Sequence, residues 1–298
     1  MVVAAMMSMV LVTGCKKNST GPVLDASTNS NQDAAQSIAN AVGEDNGGMT
    51  DQMGDIADAT GSAGISANVG SSWTEDVLMK ATTAVGDTIS KTFNVTDTSW
   101  TVFVSRSRIG LLGRAAEFTR SYYIKFIDPN GVALPRYITT SPADTASTIV
   151  FKVLNGTGHI TTTRLSTHLL SISSDFLVTR VDSTTMMANG AFTRTGTDTI
   201  STLAGMRVLN YTLSANLQNV TGPRIPRYLT SQRLPRATGG SMTGTYTATV
   251  SVLRGDSYSE RSFTKAFTVT FGNAGGSIDL HNGSSYQCNI TYGELSGN

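Results

Sequence analysis

From about Asp87 to the end of the chain apolar residues recur at every second position, and this period confines most of the molecule to β-structure. Successive strand side chains point to opposite faces, so a period of two marks a segment with one buried face and one wet one. Ile89, Phe93 and Val95 alternate with Ser90, Thr92 and Asn94. Trp100, Val102 and Val104 repeat the pattern, as do Phe118, Tyr122, Ile124 and Phe126. The clearest segment is Thr245 to Val252, with Tyr246, Ala248, Val250 and Val252 on one face and Thr245, Thr247, Thr249 and Ser251 on the other. Phe263, Phe267, Val269 and Phe271 follow in the same phase relation with Thr264, Thr268 and Thr270.

About ten to twelve such segments are separated by turn-forming residues. Asp128-Pro129-Asn130-Gly131 is a strong turn signal, and Asn155-Gly156, Asn189-Gly190, Gly239-Gly240, Gly255-Asp256, Asn273 to Gly276 and Asn282-Gly283 are read as further breaks. No helical crossover intervenes, so the strands must be antiparallel and mostly hairpin-connected. A sheet of that many twisted strands does not stay flat. The expected fold class is therefore mainly β: an antiparallel meander curled into a barrel, half-barrel or sandwich.

Composition agrees. Charged residues make up 14% of the chain against about 25% in a typical soluble domain, while Thr occurs 43 times and Ser 33 times. Hydroxyl groups thus supply the polar face, and β-branched Thr suits a pleated surface. The charges are also unevenly placed. Residues 1–76 hold 9 acidic and 2 basic side chains and residues 77–298 hold 12 and 20, so the two parts carry −7 and +8 and sum to the net +1.

The acidic part contains helical periodicity. In one segment Ser30 or Asn31 can cap, Asp33 suits the positive end of the helix dipole, and Ala34, Ile38, Ala41 and Val42 form a stripe that Gly43 ends. In the next, Thr50 can cap, Asp51 begins the first turn, and Met49, Met53, Ile56 and Ala57 share a face. A third short helix is expected after Thr74-Glu75-Asp76, through Val77, Leu78, Met79 and Ala81 to Gly86, beyond a Gly/Ser/Ala-rich stretch at 60–73. Helices this short need tertiary support. A helical hairpin packed on the sheet supplies it.

The chain begins with an apolar run that ends in Val12-Thr13-Gly14-Cys15 and is followed by Lys16-Lys17-Asn18. The run is shorter than the roughly 20 residues needed to span a bilayer core and closes on small residues, as export signals do. Val12-Thr13-Gly14-Cys15 resembles the lipobox of bacterial lipoproteins. The resemblance implies that Cys15 is lipid-modified and becomes the mature N-terminus, and Lys16 in place of Asp implies the outer membrane. The expected organisation is a signal peptide at 1–14, a lipidated flexible tether at 15–30, a helical segment at 31–86 and a β-domain at 87–298. Cys288, the second of two cysteines, falls in phase with Tyr286, Ile290 and Tyr292 and reads as a buried inert thiol.

No catalytic constellation stands out, and no cofactor or metal site is expected. His159, His168 and His281 lack metal-ligand spacing, and His159 and His168 are expected to face solvent. Asp51, Asp55 and Asp58 share a helix face near Glu44 and Asp45, a set that a hard cation could use, but the loop lacks alternating ligands and the reading is a solvated acidic face. Arg224, Arg227, Arg233 and Arg236 lie in a proline-broken basic stretch that could contact a polyanion such as lipopolysaccharide or an acidic glycan. The same prolines and arginines would serve to keep an exposed segment soluble.

The sequence thus leads to an envelope lipoprotein, anchored to the membrane, of non-catalytic binding or structural type. In its leading form an apolar or lipid ligand lies between sheet and helices, near Trp100, Phe126, Phe267 and Phe271. A glycan ligand or an envelope protein is a further expected partner, and nucleic acid is not. A surface adhesin or pilin-like assembly protein is the alternative, and an envelope hydrolase ranks third.

Overall fold

A computed structural model describes residues 26–60, 88–109, 114–137, 145–162, 165–202, 205–227, 234–254, 257–272 and 275–296. The expected signal segment, Cys15, the 60–73 stretch beyond Thr60 and the expected third helix lie outside these residues. Among the described residues two helices, α1 (Ala26–Val42) and α2 (Met49–Ala59), precede thirteen strands. The strands are β1 (Thr88–Asn94), β2 (Ser99–Ile109), β3 (Ala115–Ile127), β4 (Ala133–Leu134), β5 (Thr148–Thr161), β6 (Leu165–Arg180) and β7 (Thr185–Thr202), followed by β8 (Gly205–Pro223), β9 (Gly239–Arg254), β10 (Ser257–Gly272), β11 (Gly275–Asp279), β12 (Ser285–Asn289) and β13 (Glu294–Leu295). They form one antiparallel sheet in which neighbours in sequence are neighbours in space, with β4 pairing only with β3. The meander is not closed into a barrel.

The expected alternation holds along the strands. Trp100, Val102 and Val104 of β2, and Phe118, Tyr122, Ile124 and Phe126 of β3, are buried, while Thr101 and Phe103 between the first set are exposed and Thr119, Ser121, Tyr123 and Lys125 between the second are half-buried. The outer face carries hydroxyl pairs bonded across strands, among them Ser171–Thr195 (2.7 Å), Thr247–Thr264 (3.0 Å) and Thr249–Ser262 (2.8 Å). Such cross-strand pairs satisfy polar atoms without charge. Val95 lies just beyond β1 and is exposed rather than part of the apolar face.

Two expected breaks are not turns. Asn155-Gly156 and Asn189-Gly190 sit inside β5 and β7, where the pairing register slips. Similar slips occur between Leu169 and Ser171 in β6 and between Gln218 and Thr221 in β8. Each extra residue bends a strand and increases its twist, so these bulges let strands of 14 to 19 residues curl instead of splitting into hairpins. Glycine is needed there for close approach. A Cβ at Gly156 would sit 2.6 Å from Ile172 Cγ2, and one at Gly190, whose φ is +137°, would sit 2.0 Å from the Asp175 carbonyl oxygen. Of the other turn signals, Asp128 to Gly131 and Asn282-Gly283 fall between strands as expected, Gly239-Gly240 opens β9 and Gly275-Gly276 opens β11, and Gly255-Asp256 with residues 273–274 lies outside the described residues. Asp128 accepts from the backbone N–H of Asn130 and of Val132, both at 2.8 Å, and so closes its turn.

The helices occupy the concave side of the curl, and both ends of the strand order reach them. Glu44 and Asp45, between α1 and α2, donate backbone N–H bonds of 2.9 Å to the carbonyls of Ile290 and Thr291, just after β12. From the opposite end, Arg108 of β2 donates to the Glu44 carbonyl at 2.9 Å. Arg114, at the entry to β3, pairs with Glu294 of β13 and lies 4.5 Å from the centroid of Tyr292. The sheet therefore wraps the hairpin, and all eleven residues of α2 are buried.

Helix boundaries differ from expectation for the same reason. α1 starts at Ala26, so Ser30 and Asn31 lie within it; Asn31 bonds to Ser284 and Asn282 on the sheet, which offsets its poor intrinsic propensity. The N-cap of α2 is Gly48, and Thr50 instead donates to the Val42 carbonyl at 2.5 Å. Cys288 is buried as expected, and burial pushes its thiol up to about 12, although Tyr292 lies beyond the strand and is exposed.

Replacing Gly190 by Ala is expected to cost clearly more stability than replacing Gly131, whose φ is +83° but whose Cβ position is empty. Gly131→Ala should cost about 1–2 kcal/mol from backbone conformation alone. Urea unfolding of the two variants checks this, and equal midpoints would remove the packing argument for the bulge.

Candidate functional site

Asp51, Asp55 and Asp58 are spaced to share one face of α2, and that face turns into the protein. The expectation of a solvated acidic face is overturned: these three residues are 0%, 5% and 2% exposed. Arginines from the sheet and the following loop surround them. Arg227, beyond β8, spans all three: Nε donates to Asp58 Oδ2 at 2.7 Å, Nη1 to Asp51 Oδ1 at 2.9 Å, and Nη2 to Asp55 Oδ1. Its backbone N–H donates to Asp58 Oδ1 at 2.7 Å.

Strands β2 and β3 supply the other side of the cluster. Arg106 Nη1 lies 2.6 Å from Asp55 Oδ1, Arg108 Nη2 is 2.7 Å from Asp51 Oδ1, and Arg120 Nη1 donates to Asp51 Oδ2 at 2.9 Å. Tyr122 completes the set by donating to Asp55 Oδ2 at 2.6 Å. Arg120 also donates to the Gly47 carbonyl and lies 4.4 Å from the centroid of Phe118.

Glycines make room for these guanidiniums. A Cβ at Gly54, in the middle of α2, would lie 3.0 Å from Arg227 Nη1, and one at Gly47 would lie 2.6 Å from Arg120 Nη2. A mid-helix glycine costs roughly 0.5–1 kcal/mol relative to Ala, so its presence here follows from the arginine that crosses it.

The electrostatics lock the cluster. Burial alone would raise Asp51, but Arg108, Arg120, Arg106 and Arg227 together hold it well below the usual carboxylate range. Burial opposes ionisation of Asp55 as well, and Arg106, with Arg227 and Arg120, outweighs both burial and the neighbouring Asp51. Burial, reinforced by Asp55, pushes the Tyr122 phenol upward. Acids held ionised and saturated by guanidiniums have no proton to give and no free lone pair aimed at a substrate. This arrangement joins helix to sheet.

A second buried polar set holds α1. Asp198 of β7 accepts from Ser37 at 2.5 Å and from Thr167 at 2.6 Å. Arg194 donates to Asn40 Oδ1 at 2.5 Å and to Tyr211 Oη at 2.9 Å. Asp33 pairs with Arg207 at 2.9 Å, while its Oδ2 accepts no hydrogen bond among the described residues. Burial raises Asp33 to about 6 against the opposing Arg207 and Arg261, and burial likewise raises Asp198 despite Ser37, Thr167 and Arg194.

Part of the basic stretch is drawn inward, Arg224 staying half-buried. Arg227 belongs to the aspartate cluster, Arg224 donates to Tyr137 Oη at 2.6 Å and to the Ser183 carbonyl, and buried Arg236 donates to the Ile225 carbonyl at 2.8 Å. Arg233 lies outside the described residues. His159 and His168 are exposed as expected, and the register of β5 and β6 sets them opposite each other. Among the described residues no group of three or more His, Cys, Asp or Glu could hold a metal ion.

Trp100, Phe126, Phe267 and Phe271 are all buried. Trp100 Nε1 donates to the Pro135 carbonyl at 2.9 Å, and Phe126 meets Tyr137 edge-on. The recess lined by Thr60, Tyr137, Ile149, Val178 and Met186 offers a volume of about 10 Å³, room for one water.

Comparison with protein-family models, with curated proteins and with solved structures finds no match to this chain.

Asp51→Ala leaves several buried guanidiniums unpaired and is expected to cost about 3–5 kcal/mol of unfolding free energy. Lys152→Ala, which breaks the exposed Lys152–Asp175 pair, should cost at most about 1 kcal/mol. Denaturant unfolding of the two variants compares them directly.

The raised Asp33 sets a pH dependence of opposite sign to that of Asp51 and Asp55. Its ordinary value is 3.8 and its folded value about 6, so its contribution is fully present below 3.8 and is lost as pH rises through about 6. Asp51 and Asp55 contribute above 3.8 and lose that contribution as pH falls. The melting temperature should therefore decline between pH 4 and 7, and Asp33→Asn, which keeps an acceptor for Arg207, should flatten the decline. An unchanged slope in a thermal series over that range would remove Asp33 from this role.

Proposed function

We propose that this chain is a membrane-anchored envelope lipoprotein of non-catalytic, binding or structural type, secured through Cys15. Support for the anchor is Val12-Thr13-Gly14-Cys15 followed by Lys16, with an apolar run before it. The observation that carries the non-catalytic reading is the aspartate cluster, the densest set of ionisable groups among the described residues, whose carboxylates are consumed by Arg106, Arg108, Arg120 and Arg227.

Within that reading the weight falls on structure and assembly rather than on carriage of a lipid. A lipid between sheet and helices would need the space taken by Met49, Met53 and Ile56 of α2 and by Phe151 and Phe176 of the sheet, all buried. The adhesin or pilin-like alternative finds support in β1, which among the described residues is an edge strand pairing with β2 alone. Its inward Lys91, 5.8 Å from the centroid of Trp100, is the kind of residue that restrains indiscriminate edge pairing.

Metabolic labelling with palmitate in a bacterial host tests the anchor. Label and membrane fractionation are expected for the wild type and should both be lost in Cys15→Ala. Equal labelling of the two proteins would end the lipoprotein reading.

A further inference from the structure

Three histidines occur in the whole chain, and two of them stand directly opposite each other. His159 and His168 are nine positions apart, a spacing with no meaning for a helix or a loop, but the β5–β6 pairing sets them side by side. Both lie on the outer face and are exposed. Their direction is fixed from beneath. Ile160 and Leu169, their neighbours in sequence, are each 1% exposed, and Thr167, also buried, donates to Asp198 at 2.6 Å. A slip of one residue would turn these groups to water, so the core sets the outward phase of both imidazoles.

Directly opposed residues of an antiparallel pair hold their Cβ atoms about 4.5–5.5 Å apart. Two imidazoles rooted at that separation can turn toward a common ion that each nitrogen binds at about 2.0–2.1 Å. Their surroundings leave them available. The His168 ring makes no hydrogen bond or ion pair among the described residues, and the His159 ring has one contact, Nε2 to Thr161 Oγ1 at 3.4 Å. The same face carries a negative charge next in the row: Glu117 of β3 is exposed and opposes His159 from the other side. Thr197 of β7, opposite His168, is neutral. The row from Glu117 to Thr197 thus contains nothing that repels a cation.

We propose that His159 and His168 form a binding site for a divalent transition-metal ion of the zinc or copper kind, held between β5 and β6 on the outer face. Imidazole nitrogen suits these ions, whereas calcium and magnesium take oxygen. Two protein ligands leave the other positions to water, so the site is open, unlike the closed four-ligand sites that build small folds. A two-ligand chelate is consistent with the absence of any larger group of candidate ligands among the described residues. Binding needs only a turn of exposed side chains, and the ion then clamps β5 to β6 near the end where the two strands are joined. The site stands on the sheet alone and does not need the lipid anchor.

Calorimetric titration with Zn²⁺ of the full-length chain, carrying no polyhistidine tag, tests this beside His159→Gln and His168→Gln. Both side chains are exposed, so the substitutions leave the core intact. The expected result is saturable binding of a single ion by the wild type, undisturbed by excess Ca²⁺ or Mg²⁺ and weakened about 100-fold in each variant as one arm of the chelate is lost. Zn²⁺ should also raise the melting temperature of the wild type more than that of either variant. Electron paramagnetic resonance of the Cu²⁺-loaded chain counts the ligands, with two imidazole nitrogens expected in the wild type and fewer in each variant. Cys15 and Cys288 are present in all three proteins, so binding to sulfur would show as equal affinity. Equal Zn²⁺ affinity in the three proteins, or a wild-type Cu²⁺ spectrum without two imidazole nitrogens, overturns the inference.

Discussion

The structure depends on burying ions in pairs. Placing Asp51, Asp55 and Asp58 inside a protein without partners would cost several kcal/mol each, and the same holds for Arg106 and Arg120. Each set makes the other tolerable, and the geometry that allows it is narrow: aspartates at helical spacing facing arginines at strand spacing. Hydrophobic contact would let α2 slide or rotate against the sheet. The guanidinium forks fix one orientation, because Arg227 can meet all three aspartates in a single arrangement.

Around this joint the remaining features fall into place. The mid-strand bulges allow one continuous sheet to curl far enough that β2 and β12 both reach the segment between α1 and α2. Aromatic pairs such as Phe151 on Phe176 and Tyr211 on Tyr246 fill the concave face beside the charges, Tyr211 also accepting a hydrogen bond from Arg194. The hairpin serves as the second layer of a two-layer domain, so the sheet needs neither closure into a barrel nor a second sheet to cover its apolar side.

Strand content, antiparallel order, both helices and the buried Cys288 were legible because each follows from local period and turn chemistry. The joint was legible in part. Arg106 and Arg108 continue the inward phase of Trp100, Val102 and Val104; Arg120 falls between Phe118 and Tyr122 in the same phase, and Arg194 follows Phe192. A charged residue in an apolar phase must point inward, and several of them require an acidic partner. The aspartates of α2 were that partner, but helical period alone cannot distinguish an acidic face turned to water from one turned to arginines. Gly54 was a further signal, since a glycine at mid-helix marks close approach. The misread Asn-Gly pairs have a different cause. A bulge and a hairpin both require left-handed or crowded backbone, and the pairing partner that separates them lies far away in sequence.

The hydroxyl-covered outer face has a consequence for how the molecule behaves in a crowd. Charged surfaces keep neighbours apart by repulsion that dissolved salt weakens. Rows in which Thr195, Thr247 and Thr249 bond sideways to their neighbours are held in water by neutral hydration instead, so approach between molecules meets little long-range resistance and depends weakly on ionic strength. Such a face permits dense lateral packing on a surface.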